Sequence, residues 1–381
     1  MVTVSETREI SPMELCLVLT QRIEEGIYSP GAWLPAERAL AEEFAVDRSL
    51  VRRALAHLEE RGLISRRRGS RPWVTGSRSA AQAPEATALA APSRTVVAVL
   101  PMHPIYPASQ AILHGINATL RVKNAACSLQ VIDTYGPTHE MVAVHEAEAL
   151  ETLIEQAPSA VFLWQVGGQE TVPRLRRLQS RIKALVLVDR QPLGLSSDFV
   201  GSDNQGGIDE AIGYLESLGH RKIAFLTTNE DSSAVAQRLE AYRDALTSRR
   251  LPSRSSWIFF APKDDFSKVQ PAYDQFTATA DRPTAVVAMN DPLANSFISD
   301  LEARGVRVPQ DMSVIGFDDI DRYAARQPVL TTMRQQFENI GKRAAELALL
   351  RMAHTGDTAL PCHHILLPTP LIKRATCQEP A

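Results

Sequence analysis

Nine arginines (Arg48, Arg52, Arg53, Arg61, Arg66, Arg67, Arg68, Arg71 and Arg78) fall between positions 48 and 78, where only Glu59 and Glu60 oppose them. That local excess of +7 sits in a chain whose net charge is −3. Such clustering is the electrostatic footprint expected for contact with phosphates. Arginine can also donate two parallel hydrogen bonds to guanine O6 and N7, so an arginine aimed into a groove can read a base. A second group with chemical potential is the acidic set Asp291, Asp318, Asp319 and Asp321. These could in principle hold a hydrolytic metal. However, no Walker loop, no GxGxxG after a strand, no GxSxG elbow and no HExxH accompanies them, so no catalytic residues are assigned. The four cysteines (Cys16, Cys127, Cys362, Cys377) form no CxxC pair and read as reduced thiols. His363 and His364 lack a third ligand nearby, so no metal or other cofactor is expected.

The arginines need helices to position them. A first helix is expected from Pro12 to Glu25, with Leu15, Leu19 and Ile23 on one face, and a short second helix from Glu37 to Phe44. A tight turn then leads to a third helix, Arg48 to Arg61, stopped by Gly62. Its residues Val51, Ala54, Leu55 and Leu58 recur at i, i+3, i+4 and i+7 and form a buried stripe. Arg48, Ser49, Arg52 and Arg53 are left on the remaining surface. Leu63-Ile64 and Trp73-Val74 flank the turn RRRGSRP, a pattern that makes a two-stranded wing with a basic tip. Asp47 is read as the cap of the third helix.

Residues from about 76 to 93 are rich in Ala, Ser and Pro and read as a linker. Beyond it, apolar strands (TVVAVLP, SAVFLW, ALVLVD, KIAFLT, TAVVAMN, SVIGFD) alternate with helical stretches. That alternation implies buried parallel sheets built from βαβ units. Nearly 280 residues exceed one compact doubly wound sheet, so two lobes are expected. No run of about 18 apolar residues is present, so no spanning helix is expected. The N-terminus carries no secretory pattern, and a cytoplasmic location is expected.

The stretch GxxxPGxxLPAERALAEEFAVDRSLVRRALAHLEERGLI closely resembles the DNA-binding head of GntR-type regulators. The resemblance implies a winged helix-turn-helix over residues 8–76, with the third helix in the major groove and the wing at the minor groove. It places DNA contacts at Arg38, Arg48, Ser49 and Arg52, with Gly69 at the wing tip. From about residue 94 to 374, the stretches LVLVDR, DFVGSDNQGG, LESLGHRKIAFL, QRLEAYRDAL, PTAVVAMNDPLA, VPQDMSVIGFDD, PVLTTMRQ and LPTPLIKR resemble the effector domain of LacI/GalR regulators. The implied fold is a two-lobed, periplasmic-binding-protein-like α/β domain. One lobe is expected over about 94–199 and 333–361, the other over about 200–332 and 362–374. Heads and bodies of these two types also occur joined in a hybrid group similar to the arabinose regulator of bacilli, in which the linker replaces the LacI hinge helix.

Carried over, this second resemblance places effector contacts at Tyr106, Asp189, Arg190, Arg238, Phe266, Asn290 and Asp318, with Gln335 bordering the hinge and Trp164 as a further candidate. Simpler roles are assigned to other residues. Asp291 is read as a helix cap, Asp319 and Asp321 as solvent-facing or capping, and His220 as fixing a helix-to-strand turn. The implied function is a homodimeric, DNA-binding transcription regulator, a repressor by family precedent, answering to a small carbohydrate effector and associated with double-stranded operator DNA and no membrane. The alternatives are a regulator using a non-sugar co-repressor, a solute-binding protein, and an enzyme.

Overall fold

A computed structural model describes residues 12–24, 28, 34–44, 46–60, 63–65, 72–74, 94–103, 106–123, 126–229, 232–262, 268–278, 281–323, 328–356 and 360–380. Two compact units divide the chain, residues 1–89 and 90–381.

In the first unit, helices α1 (Pro12–Glu24), α2 (Glu37–Glu43) and α3 (Arg48–Glu60) precede an antiparallel pair, β1 (Ile64–Ser65) and β2 (Trp73–Val74). The expected helical stripe is the core-facing one: Val51, Ala54, Leu55 and Leu58 of α3 are buried with Leu15 and Leu19 of α1 and Leu40 of α2. Ile64 and Val74, opposite each other in the ribbon, close the same core. Asp47 accepts hydrogen bonds from the backbone N–H groups of Ser49 and Leu50. It thereby satisfies donors that the first turn of α3 would leave orphaned. With its apolar face turned inward, α3 presents Arg48, Ser49, Arg52 and Arg53 outward.

The second unit contains two parallel-stranded lobes. The first is built from β3 (Arg94–Leu100), α4 (Ala108–Lys123), β4 (Cys127–Asp133), α5 (His139–Gln156), β5 (Ala160–Leu163), α6 (Val172–Gln179), β6 (Ala184–Val188) and β7 (Asp198–Ser202). The second takes α7 (Asn204–Ser217), β8 (Ile223–Thr228), α8 (Ser233–Ser248), β9 (Ile258–Ala261), α9 (Gln270–Ala278), β10 (Ala285–Ala288), α10 (Asp291–Ala303), β11 (Ser313–Asp318) and β12 (Thr331–Arg334). The chain then returns to the first lobe through α11 (Phe337–Ala353) and β13 (His364–Leu367), and ends in the second with β14 (Leu371–Ile372). Among the described residues the sheet orders are β13-β7-β6-β5-β3-β4 and β14-β12-β11-β10-β8-β9. Every pairing in these two sheets is parallel except β12 with β14. Strands such as β5, β6, β8 and β10 are buried on both faces, which is why they read as unbroken apolar runs.

Three passages of chain therefore join the lobes, near Asp203, Gln335 and Thr369. The last corrects an expected boundary. Residues 364–367 pair with β7 and belong to the first lobe, whereas the sequence pattern places all of 362–374 in the second. The lobe changes only across Pro368-Thr369-Pro370.

Helices α4 and α11 approach closely enough that side chains are excluded between them. A Cβ on Gly341 would lie 2.0 Å from the Ile112 carbonyl oxygen, and one on Gly115 would lie 2.0 Å from that of Glu338. Gly341→Ala must push the helices apart, an overpacking cost of about 1–3 kcal/mol. A urea midpoint equal to that of the parent protein would show that the helices accommodate the methyl group.

His220 fills the structural role expected of it. Buried after α7, it meets Thr284 through Nδ1 (2.8 Å), and Ser313 and the Gln378 carbonyl through Nε2 (3.0 and 2.9 Å). Burial lowers its basicity, so it serves as a neutral tie between elements.

Candidate effector cleft and nucleic-acid face

The cleft between the lobes of the second unit is lined by the C-terminal ends of strands, where open α/β sheets generally place ligands. Asp318 is the last residue of β11 and has no exposed surface. The phenol of Tyr106, from the opposite lobe, donates to Asp318 Oδ2 at 2.6 Å, and Gln335 Nε2 at the hinge donates to Oδ1 at 2.6 Å. Arg238 of α8 sets its Nη1 3.7 Å from the same Oδ1. Burial pushes the Asp318 carboxyl up to about 6, against the opposing pull of Arg238 and of the hydrogen bonds from Tyr106 and Gln335. Burial, then the Asp318 charge, holds the Tyr106 phenol well above its usual range.

Arg238 is itself held from three sides. Its Nε donates to Asn204 Oδ1 (2.8 Å), its Nη1 donates to the Met289 carbonyl (2.6 Å), and its guanidinium lies 3.8 Å from the centre of the Phe317 ring. Asn204 is fixed in turn by donating to Gln237 Oε1 at 2.8 Å. A side chain anchored in this way presents a preorganised donor fork.

In the first lobe, Asp189 follows β6 with a left-handed backbone (φ 64°), and Arg190 places Nε 3.5 Å from its carboxylate. The Arg190 guanidinium also stands 6.0 Å from the Trp164 ring, which stacks on Phe337 with centroids 6.3 Å apart. Asp318 and Asp319 likewise have positive φ values of 120° and 58°. Non-glycine residues in that region cost about 1–3 kcal/mol each and cluster at functional sites. The lobes also touch where Ser233 Oγ accepts from the Gln191 backbone N–H, at 3.1 Å. Two surface hollows, of about 480 Å³ beside Asp203 and Asp244 and about 270 Å³ beside Lys183 and His354, are lined by none of these cleft residues.

The structure thus gathers Tyr106, Asp189, Arg190, Arg238, Asp318 and Gln335 around one cleft. Asn290 borders it, with its Oδ1 engaged by the Leu293 backbone N–H as the cap of α10. That finding corrects the capping role expected of Asp291. Asp291 is instead buried and accepts from the Ile320 N–H (2.9 Å) and the Thr332 hydroxyl (2.5 Å). Burial and the neighbouring Asp318 raise its pKa well above the usual range. Asp319 is not solvent-facing either: fully buried, it is clamped by Arg334 and Arg374, each at 2.6 Å. Phe266 lies outside the described residues.

Glu146 of α5 carried no expectation, yet it fixes the backbone that follows Trp164. Fully buried, it accepts backbone N–H groups from Val166 and Gly167, just beyond Trp164. Burial pushes its carboxyl up to about 7 from an ordinary 4.5. The folded state thus holds this proton more tightly than the unfolded chain, so its contribution to stability declines as pH rises between those values. Glu146→Gln should remove that decline, worth about 3 kcal/mol between pH 5 and pH 8 relative to the parent. Urea melts at both pH values check it, and parallel pH dependence in the two proteins would refute it.

On the first unit, Arg38 of α2 and Arg48, Ser49 and Arg52 of α3 are exposed. Gly69 lies outside the described residues. Glu37, the first residue of α2, was not anticipated. Its Oε2 accepts from Arg52 Nε at 2.8 Å and lies 4.0 Å from Arg48 Nη2.

Residues 15–74 match the family model for bacterial regulatory proteins of the gntR family, and residues 212–377 match the model for a periplasmic binding protein-like domain. The chain is 33% identical over 168 residues to the HTH-type transcriptional repressor PurR of Photobacterium profundum, an alignment covering 44% of this chain and 50% of that protein. It spans about half the length of the curated relatives it matches. A LacI family transcriptional regulator from Enterococcus faecium with bound ribose superposes with a TM-score of 0.60 at 23% identity, covering 74% of this chain and 99% of that one. The transcriptional regulator CelR in complex with cellobiose gives 0.62 at 21% identity, covering 90% and 100%. These two likenesses establish the two-lobed fold.

Proposed function

We propose that this chain, which joins a gntR-type helix-turn-helix segment to a LacI-type periplasmic-binding-protein-like domain, is a DNA-binding transcriptional repressor controlled by a carbohydrate effector. The observation that carries the reading is the occurrence, in one chain, of an arginine-bearing α3 within the gntR-type segment and a polar cleft in the second unit. Arg48 and Arg52 read base edges, while Arg38 and Ser49 contact phosphates. Gly69 and the wing add contacts in the neighbouring groove. A homodimer places two such helices on a pseudo-palindromic operator. The work is done in the cytoplasm, and no helix among the described residues is long and apolar enough to cross a membrane.

In the cleft, Asp318 accepts from neighbouring ligand hydroxyls and Arg238 donates to ligand oxygens, the pairing that a polyol offers. Asp189, Arg190, Asn290 and Tyr106 complete the polar ring. Trp164 and Phe337 supply an apolar wall for a sugar ring, with Phe266 as a further contact. The ribose and cellobiose of the two regulators compared above support this ligand class. Ligand that favours one lobe arrangement shifts operator affinity by the difference in its affinity for the two states. Selection of duplexes from a randomised library, followed by a melting-temperature screen of mono- and oligosaccharides, tests both halves. An enriched sequence motif and a sugar-dependent stabilisation without turnover are expected. The reading is refuted by a protein that enriches no motif.

A further inference from the structure

We infer that Glu37 is a positioning residue for base reading: by holding Arg52 it makes sequence selection by α3 depend on a side chain of α2. The inference rests on the DNA-binding reading above and adds a residue to it. Glu37 Oε2 receives the Arg52 Nε proton at 2.8 Å, and Arg48 Nη2 approaches the same oxygen to 4.0 Å. The carboxylate is the sheltered partner, with 24% of its side chain exposed, while Arg48 and Arg52 keep 60% and 62%. One acid thus sits beside the Nε of Arg52 and, farther off, an outer nitrogen of Arg48, while both arginine side chains stay largely exposed.

A carboxylate on a surface that must meet phosphates is costly for affinity, because it repels the backbone. As a stabilising device it returns little, since exposed ion pairs contribute about 0–1 kcal/mol. Its geometric effect is larger. With Nε engaged by Glu37, Arg52 keeps Nη1 and Nη2 for an end-on, two-bond approach to guanine O6 and N7. An arginine side chain carries about 2 kcal/mol of rotamer entropy, and fixing it beforehand reduces what is lost on docking. Glu37 therefore weakens binding to DNA in general and strengthens discrimination among sequences. The competing role is local: an acid in the first turn of α2 favours that helix through its dipole. That role would alter stability without altering base preference.

The test uses the full chain, a duplex selected from a randomised library, and versions changed at single base pairs, all at one salt concentration. The pair at which Arg52→Ala loses its preference marks the base read by Arg52. At that pair, Glu37→Ala is expected to lose about fivefold or more in discrimination, while its affinity for a scrambled duplex equals or exceeds the parent's. Glu37→Gln, which can still accept from Nε, should recover part of the loss. In an Arg52→Ala background, Glu37→Ala should change discrimination no further. Unchanged discrimination in Glu37→Ala, or an equal loss with and without Arg52, overturns the inference and leaves the DNA-binding reading standing. A parent protein that enriches no duplex at all overturns both.

Discussion

Arg52→Ala is expected to lower affinity for the selected duplex about tenfold to a hundredfold, because one bidentate arginine–guanine contact discriminates by about 1–3 kcal/mol. The loss should be concentrated at one base pair. Arg52 stands outside the core of the first unit, 62% exposed, while the stripe Val51, Ala54, Leu55 and Leu58 carries the packing of α3. Removing it should therefore leave the melting temperature close to the parent's. The dependence of affinity on salt should also change little, since a base contact, unlike a phosphate contact, releases few counterions. Anisotropy titrations over a series of salt concentrations measure both quantities. A uniform weakening across all sequences, with a slope reduced by about one, would reassign Arg52 from base to backbone.

Asp318→Asn is expected to cost about a hundredfold or more in effector affinity, because it removes a buried charged acceptor from the cleft. The substitution keeps the shape of the side chain. Arg238 retains its bonds to Asn204 and to the Met289 carbonyl, so the variant should fold and still bind duplex. A pH series separates charge from shape. With its carboxyl pushed up to about 6, Asp318 takes up a proton as pH falls through that value and then accepts ligand hydroxyls less well. Effector affinity of the parent should decline on acidification through pH 6, and that of Asp318→Asn should lack this step. Calorimetry on the strongest sugar from the screen measures both. Equal affinities at neutral pH would remove Asp318 from the binding site.

The elements were legible where local rules decide them. The stripe of α3, the Pro at the start of α1 and the unbroken apolar runs of β5, β6 and β10 each follow from nearest neighbours, and helix ends fell within a residue or so of expectation. What was not legible depends on residues far apart in sequence. Asp319 reads as an exposed acid until Arg334 and Arg374, 15 and 55 positions later, close on it. Glu146 in the middle of α5 looks like an ordinary polar-face residue; only the fold brings it to Val166 and Gly167. A cap at Asn290 leaves Pro292 in the first turn as well as the expected cap at Asp291 does, so local rules do not separate them. Tertiary contact settles it, since Asp291 is drawn inward by Thr332 and the Ile320 N–H. The boundary at Pro368-Thr369-Pro370 escaped because a strand followed by prolines gives no sign of which sheet it joins. The two clusters of interest differ in the same way. The arginine face of α3 is a property of one helix, whereas the ring around Asp318 draws on both lobes and the hinge.

On the proposed reading, the sugar site and the duplex site of this chain are coupled. Thermodynamic linkage makes this measurable as a reciprocity: the factor by which the sugar changes duplex affinity must equal the factor by which duplex changes sugar affinity. The direct experiment measures both dissociation constants, each with and without the other ligand at saturation, in one buffer. Matching factors of about 5–150, corresponding to about 1–3 kcal/mol, are expected. Duplex and sugar that each bind with an affinity indifferent to the other would contradict the account.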